Sequence, residues 1–152
     1  MVDAAGDSTI GGTFVGSPLG CVAGIAVLDE IDRLDLLSRG RSIGKLMRAR
    51  FAELQSRHPQ IGDVRGLGPM LALEFVRDAG SKLPAPELAT AVAEAALRRG
   101  LLILKAGIDG NCLRVLVALV ATDEQIEESL DVFAEAVAEA LGSKAPMAAA
   151  TL

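Results

Sequence analysis

Residues 64–76 read Val64-Arg65-Gly66-Leu67-Gly68-Pro69-Met70-Leu71-Ala72-Leu73-Glu74-Phe75-Val76, and at this stretch the periodicity of the chain changes. Upstream, apolar residues recur every three or four positions. Here Leu71, Leu73 and Phe75 alternate with Ala72 and Glu74, which is the period of a half-buried strand. Gly66 and Gly68 read as a glycine-punctuated lead-in to that strand.

Working back toward the N-terminus, Ser17-Pro18 is a helix start, because serine caps free backbone N–H groups and proline loses nothing at the first helical position. Cys21, Val22, Ile25, Leu28 and Ile31 follow at helical spacing and predict a largely buried helix over 18–37. A second helix is predicted over 38–57, with Ile43, Met47, Phe51 and Leu54 on one side. His58-Pro59 ends it, since the residue before proline is pushed out of helical geometry.

Working forward, a helix over 86–99 stops at Gly100, and "LLILK" over 101–105 reads as a short strand. After the turn "AGIDGN", the run "CLRVLVALV" over 112–120 sends Leu113, Val115, Val117 and Leu119 to one face and Arg114, Leu116 and Ala118 to the other. Thr122 to Gln125 forms a capping box for a last helix, on which Ile126, Leu130, Phe133, Val137 and Leu141 make one stripe. The tail from Gly142 is expected to fray. The order is helix, helix, strand, helix, strand, strand, helix. It predicts an α+β fold: a small three-stranded sheet covered by helices, preceded by an N-terminal arm and a long connecting helix.

Composition narrows the partners. The 152 residues are 51% apolar and 23% charged, enough to bury one core, and no internal repeat shows. Four phenylalanines without tryptophan or tyrosine, together with a net charge of −5, exclude a base-stacking or phosphate-tracking nucleic-acid binder. The purest apolar run, 115–121, is far too short to span a bilayer. The first residues lack the basic start and apolar stretch of a signal peptide, and Cys21 and Cys112 have no metal-type spacing. The expectation is a cytoplasmic protein with reduced thiols, no metal and no membrane partner.

Two places invite an anion. "GDSTIGGT" over 6–13 has the spacing of a phosphate-binding P-loop, but Gly12 stands where the lysine belongs and no strand fits ahead of Gly6. Its remaining donors are backbone N–H groups and the Thr13 hydroxyl, which leaves a phosphate site or an arm of no function. Arg114, set among aliphatic residues, is either a planar fork for a carboxylate or a solvated residue on an edge strand. Arg65 reads as structural and His58, the single histidine, as a surface cap at a helix end. The carboxylates of the last helix, Glu127, Glu128, Asp131, Glu135 and Glu139, read as solvation. No lysine among Lys45, Lys82, Lys105 and Lys144 sits where its amine would be desolvated, so no complete catalytic group is evident.

Three stretches carry a resemblance. "GGTFVGSPLGCVAGIAVLDEI" (11–31), "HPQIGDVRGLGPMLALEF" (58–75) and "RRGLLILKAGIDGNCLRVLVALVATDEQIEESLDVF" (98–133) are similar, in order and spacing, to the C-terminal part of the class III pyridoxal-phosphate aminotransferases. The turn before the arginine strand resembles 4-aminobutyrate aminotransferases more than ornithine or acetylornithine enzymes. Ser17 stands where the family carries asparagine, and Ala118 where it carries proline.

The resemblance implies that Gly12 and Thr13 contact the phosphate of pyridoxal 5'-phosphate held mainly by another subunit, and that Arg114 pairs with a substrate carboxylate. It implies amino transfer from an ω-amino acid to 2-oxoglutarate. It further implies an organisation of interface arm (1–17), connecting helix (18–37), small domain (38–141) and tail (142–152). The Schiff-base lysine of the family lies upstream of the glycine pair, so this chain is expected to be inactive alone. Its partner is then a second copy or a complementing N-terminal half. The rival reading is a non-catalytic dimerisation or regulatory module.

Overall fold

The computed structural model of the chain describes Gly6 and residues 11–142. Most of the arm expected over 1–17, and the tail beyond Gly142, lie outside the described residues. The chain falls into two compact units that divide between Leu37 and Ser38.

The first unit holds helix α1 (Pro18–Arg33), entered through two successive turns in which Val15 N–H donates to Gly12 C=O and Ser17 N–H to Phe14 C=O, each at 3.1 Å. Ser17 is the N-cap, but its hydroxyl makes no capping bond, so proline at the first position does the starting. The helix ends earlier than predicted, and the expectation of burial fails. No residue of α1 is buried, and Leu19 and Val22 remain 80% and 66% exposed.

The second unit contains α2 (Leu36–Arg57), β1 (Ile61–Leu67), β2 (Met70–Phe75), α3 (Pro86–Arg98), β3 (Leu104–Ala106), β4 (Cys112–Leu116) and α4 (Asp123–Leu141). The fold is α+β as predicted, with one strand more: a four-stranded antiparallel sheet in the order β1-β2-β4-β3. The additional strand is the glycine-bearing stretch read as a lead-in. Gly66 lies inside β1 with φ of 137°, and a Cβ there would sit 2.1 Å from the Met70 carbonyl oxygen, so glycine marks close backbone approach inside a strand. Leu67 pairs with Met70, and Gly68-Pro69 closes the hairpin between them.

The other strand expectations shrink. The "LLILK" strand forms only from Leu104, and "CLRVLVALV" stays in the ladder only to Leu116. Leu101, Ile103, Val117 and Leu119 still pack against the core without strand pairing, which is why their apolar pattern mimicked strand.

One face of the sheet carries the core. Leu71, Leu73, Phe75 and Leu113 are buried against Ile43, Met47 and Phe51 of α2, Ala89 and Val92 of α3, and Ile126, Leu130 and Phe133 of α4. The Phe51 and Phe133 rings meet edge to face, centroids 5.3 Å apart. The α4 carboxylates read as solvation do more than solvate. Glu127 and Asp131 pair with Arg50 of α2, while Glu135 and Glu139 pair with Arg98 and Arg99 at the end of α3. Such exposed pairs are screened by water and contribute little each, so they tune helix placement that apolar burial has already set.

Candidate functional site

The opposite face of the sheet carries no helix of this unit, and there the charged residues collect. Cross-strand register puts Arg65, Ala72, Arg114 and Leu104 in one row and Asp63, Glu74, Cys112 and Ala106 in the next. Residues directly opposite one another in antiparallel strands share a face, so both rows project to the same side.

Arg114 sits on β4, an inner strand with β2 on one side and β3 on the other, and is exposed. Neither sequence alternative describes it fully: the strand is not an edge, yet the guanidinium is not buried. Among the described residues it makes no hydrogen bond or ion pair. Residue 114 also borders an apolar groove of about 450 Å³, whose walls Met47, Phe51, Ile126 and Leu130 belong to the core side of the sheet, opposite the face to which the register directs the Arg114 side chain. An exposed, unpaired planar fork suits a carboxylate.

Arg65, two strands away in the same row, is in the contrary state. It donates from Nη1 to Asp63 Oδ2 at 2.9 Å and to Glu74 Oε2, and from Nη2 to Cys112 Sγ at 3.5 Å. These hydrogen bonds, first to Asp63 and then to Glu74, raise its pKa above an already high ordinary value. It is structural, as its sequence context predicted. Sequence reading passed over Asn111, which is buried and donates from Nδ2 to Phe75 C=O at 2.9 Å and to Glu74 Oε1 at 3.4 Å. Its signal was present: an asparagine closing a Gly-x-x-Gly turn immediately before a strand.

Gly12 and Thr13 belong to the first unit and are exposed. Thr13 lies in the turn ahead of α1, and its amide N–H is not spent on any backbone bond among the described residues. A Cβ built on Gly11 would meet nothing within 4 Å. Packing among the described residues therefore gives no reason for glycine at position 11. Among the described residues the turn thus leaves a hydroxyl and an N–H as unspent donors, groups suited to the oxygens of an anion.

His58 is half-buried at the end of α2, its backbone N–H bonded to Leu54 C=O. Burial, and then the neighbouring Arg57, push its pKa below the ordinary imidazole range. Cys112 is buried and Cys21 exposed, both as free thiols.

The sheet and its one-sided helical cover define a small α+β domain. A family model described as aminotransferase class-III matches residues 2–137, and the chain belongs to that family. A probable 4-aminobutyrate aminotransferase of Bacillus subtilis (strain 168) is 44% identical over 132 residues, covering 87% of this chain and 30% of that protein. The 5-aminovalerate aminotransferase DavT of Pseudomonas aeruginosa is 37% identical over 135 residues, 89% of this chain and 32% of its own length. Among solved structures, a transaminase from work on directed evolution by ancestral reconstruction superposes with a TM-score of 0.78 at 29% identity, over 87% of this chain and 29% of that one. The chain thus spans about 30% of the length of the relatives it matches. Among the described residues no helix is long and apolar enough to cross a membrane.

Proposed function

We propose that these residues form the C-terminal small domain and interface turn of a pyridoxal-phosphate aminotransferase that moves an amino group from an ω-amino acid, 4-aminobutyrate or a near homologue, to 2-oxoglutarate. The observation that carries this reading is the Arg114 guanidinium, exposed on an inner strand and unpartnered among the described residues. The names of the relatives, 4-aminobutyrate and 5-aminovalerate aminotransferases, support the substrate class: an aliphatic chain with a carboxylate at one end and an amine at the other.

In this reading Arg114 grips the substrate carboxylate through two parallel N–H donors and fixes the reach of the amine. Thr13, through its hydroxyl and N–H, and Gly12, by offering no side chain, add donors and space to the phosphate end of the cofactor across a subunit interface. Pyridoxal phosphate, when bound, supplies the electron sink for the exchange. In this reading the lysine that carries the cofactor is supplied by the complementing part of the enzyme.

A second reading rests on α1. Leu19, Val22, Ile25 and Leu28 are all at least 60% exposed along it, an apolar face suited to a dimerisation or regulatory module without chemistry of its own.

One experiment separates the two. The chain is mixed with the N-terminal portion of a class-III aminotransferase and pyridoxal phosphate, and cofactor absorbance and amino transfer from 4-aminobutyrate are followed. Transfer that depends on this chain and is lost with Arg114→Met supports the enzyme reading. A stable complex that forms without transfer favours the module.

A further inference from the structure

The open face of the sheet holds two guanidiniums and one carboxylate midway between them. Glu74 on β2 is opposite Cys112, so Arg114 is its diagonal neighbour on β4; Arg65, opposite Ala72, is its diagonal neighbour on β1. Diagonal same-face neighbours stand about 7–8 Å apart at Cα, well within the reach of arginine and glutamate side chains. Glu74 therefore has two arginines to choose between, yet it is bound by Arg65 and leaves Arg114 alone.

The surroundings bias that choice. Arg65 is held in place by Asp63 at 2.9 Å and by the Cys112 sulfur at 3.5 Å. The second oxygen of Glu74 is taken by Asn111, itself anchored by donating to Phe75 C=O. Ala72, between the arginines, offers no side chain able to pair with either.

We propose that Arg65 is a positioning residue: by holding Glu74 it keeps that carboxylate off Arg114 and leaves the Arg114 guanidinium open to the carboxylate of a ligand. The inference rests on the reading of Arg114 as a carboxylate binder. Without Arg65, the half-buried Glu74 carboxylate loses a charged partner and has Arg114 as the remaining cation on that face within diagonal reach. An intramolecular carboxylate acts at an effective concentration of about millimolar or more, so it would outcompete a free ligand of modest affinity.

The test uses the chain itself with glutarate as probe, following the side-chain Nε–H resonance of Arg114 and the carboxyl resonance of Glu74 by NMR. In Arg65→Met, the glutarate concentration that shifts Arg114 should rise at least about tenfold. In Arg65→Met/Glu74→Gln, in Glu74→Gln alone and in Arg65→Lys it should stay near the unsubstituted value. Should Arg65→Met not fold, Arg65→Gln takes its place. An equal glutarate response in the Arg65→Met chain overturns the proposal.

A ligand-free readout separates the proposal from the reading beneath it. With Met at position 65, the acid titration of Glu74 should move when Arg114→Met is added; with Arg65 present it should not. No movement in either background overturns the proposal. Movement as expected, together with an Arg114 resonance that ignores glutarate in the unsubstituted chain, overturns the carboxylate-binding role instead.

Discussion

Arg65 and Arg114 stand in one cross-strand row with Ala72 between them, and among the described residues the first is tied to two carboxylates while the second is tied to none. The contrast gives the two residues opposite expected costs. One holds the face together; the other is the carboxylate binder of the proposed function.

Arg114→Met should therefore change the stability of the chain by no more than about 0.5 kcal/mol, because nothing among the described residues pairs with it. In the completed enzyme the same substitution should raise the KM for the carboxylate substrate roughly ten- to a hundredfold, the worth of a charged hydrogen-bonded contact. Urea denaturation and steady-state kinetics check the two halves. A large loss of stability would show that the guanidinium has a structural partner after all.

Gly44→Ala tests how α2 meets the hairpin. In an ordinary helix interior this change is favourable by about 1 kcal/mol. Here a Cβ would lie 2.4 Å from the backbone carbonyl carbon and oxygen of Gly68, and backbone cannot step aside as a flexible side chain does. The expected sign reverses, to a loss of about 1–3 kcal/mol by denaturant titration. A stabilised variant would mean that helix and hairpin are not packed in this way.

Thr122→Ala removes half of a reciprocal cap. Gln125 N–H donates to Thr122 Oγ1 at 3.2 Å, and Thr122 N–H donates to Gln125 Oε1 at 3.0 Å. The loss should be about 1 kcal/mol, and Thr122→Ser should recover most of it. If alanine and serine behave alike in thermal unfolding, the cap is not what starts α4.

The pH profile of stability has an acid limb, to which Glu139 contributes with Glu30, Asp78 and Glu124, all held below their ordinary values, and an upper limb from His58. Glu139 is held below its ordinary value of 4.5 by hydrogen bonds from Arg98 and then Arg99, so its contribution is present above about that pH and is lost as pH falls through the folded-state value. His58 is held below its ordinary value of 6.5 by burial. The unfolded chain then takes up the imidazole proton first, and stability declines as pH falls below about 6.5. Denaturation midpoints across this range should show both limbs, and His58→Gln should erase the upper one. A profile of the unsubstituted chain that is flat around pH 6 would contradict the burial of the imidazole.

Local chemistry settled a good part of this molecule. The helix limits at Pro18, His58 and Gly100, the capping box at Thr122 and the alternation of Leu71, Leu73 and Phe75 follow from short-range sterics and periodicity, and such signals need no distant partner. Three things had to wait for tertiary contact. Gly66 reads as loop until the Met70 carbonyl comes within reach of where its side chain would be. The apolar runs around Ile103 and Val117 read as strand until the ladder ends short of them, because burial and backbone pairing favour the same residue types. The fate of each arginine on the open face depends on which carboxylate the register brings diagonal to it, and register is a property of paired strands that no single stretch of chain contains.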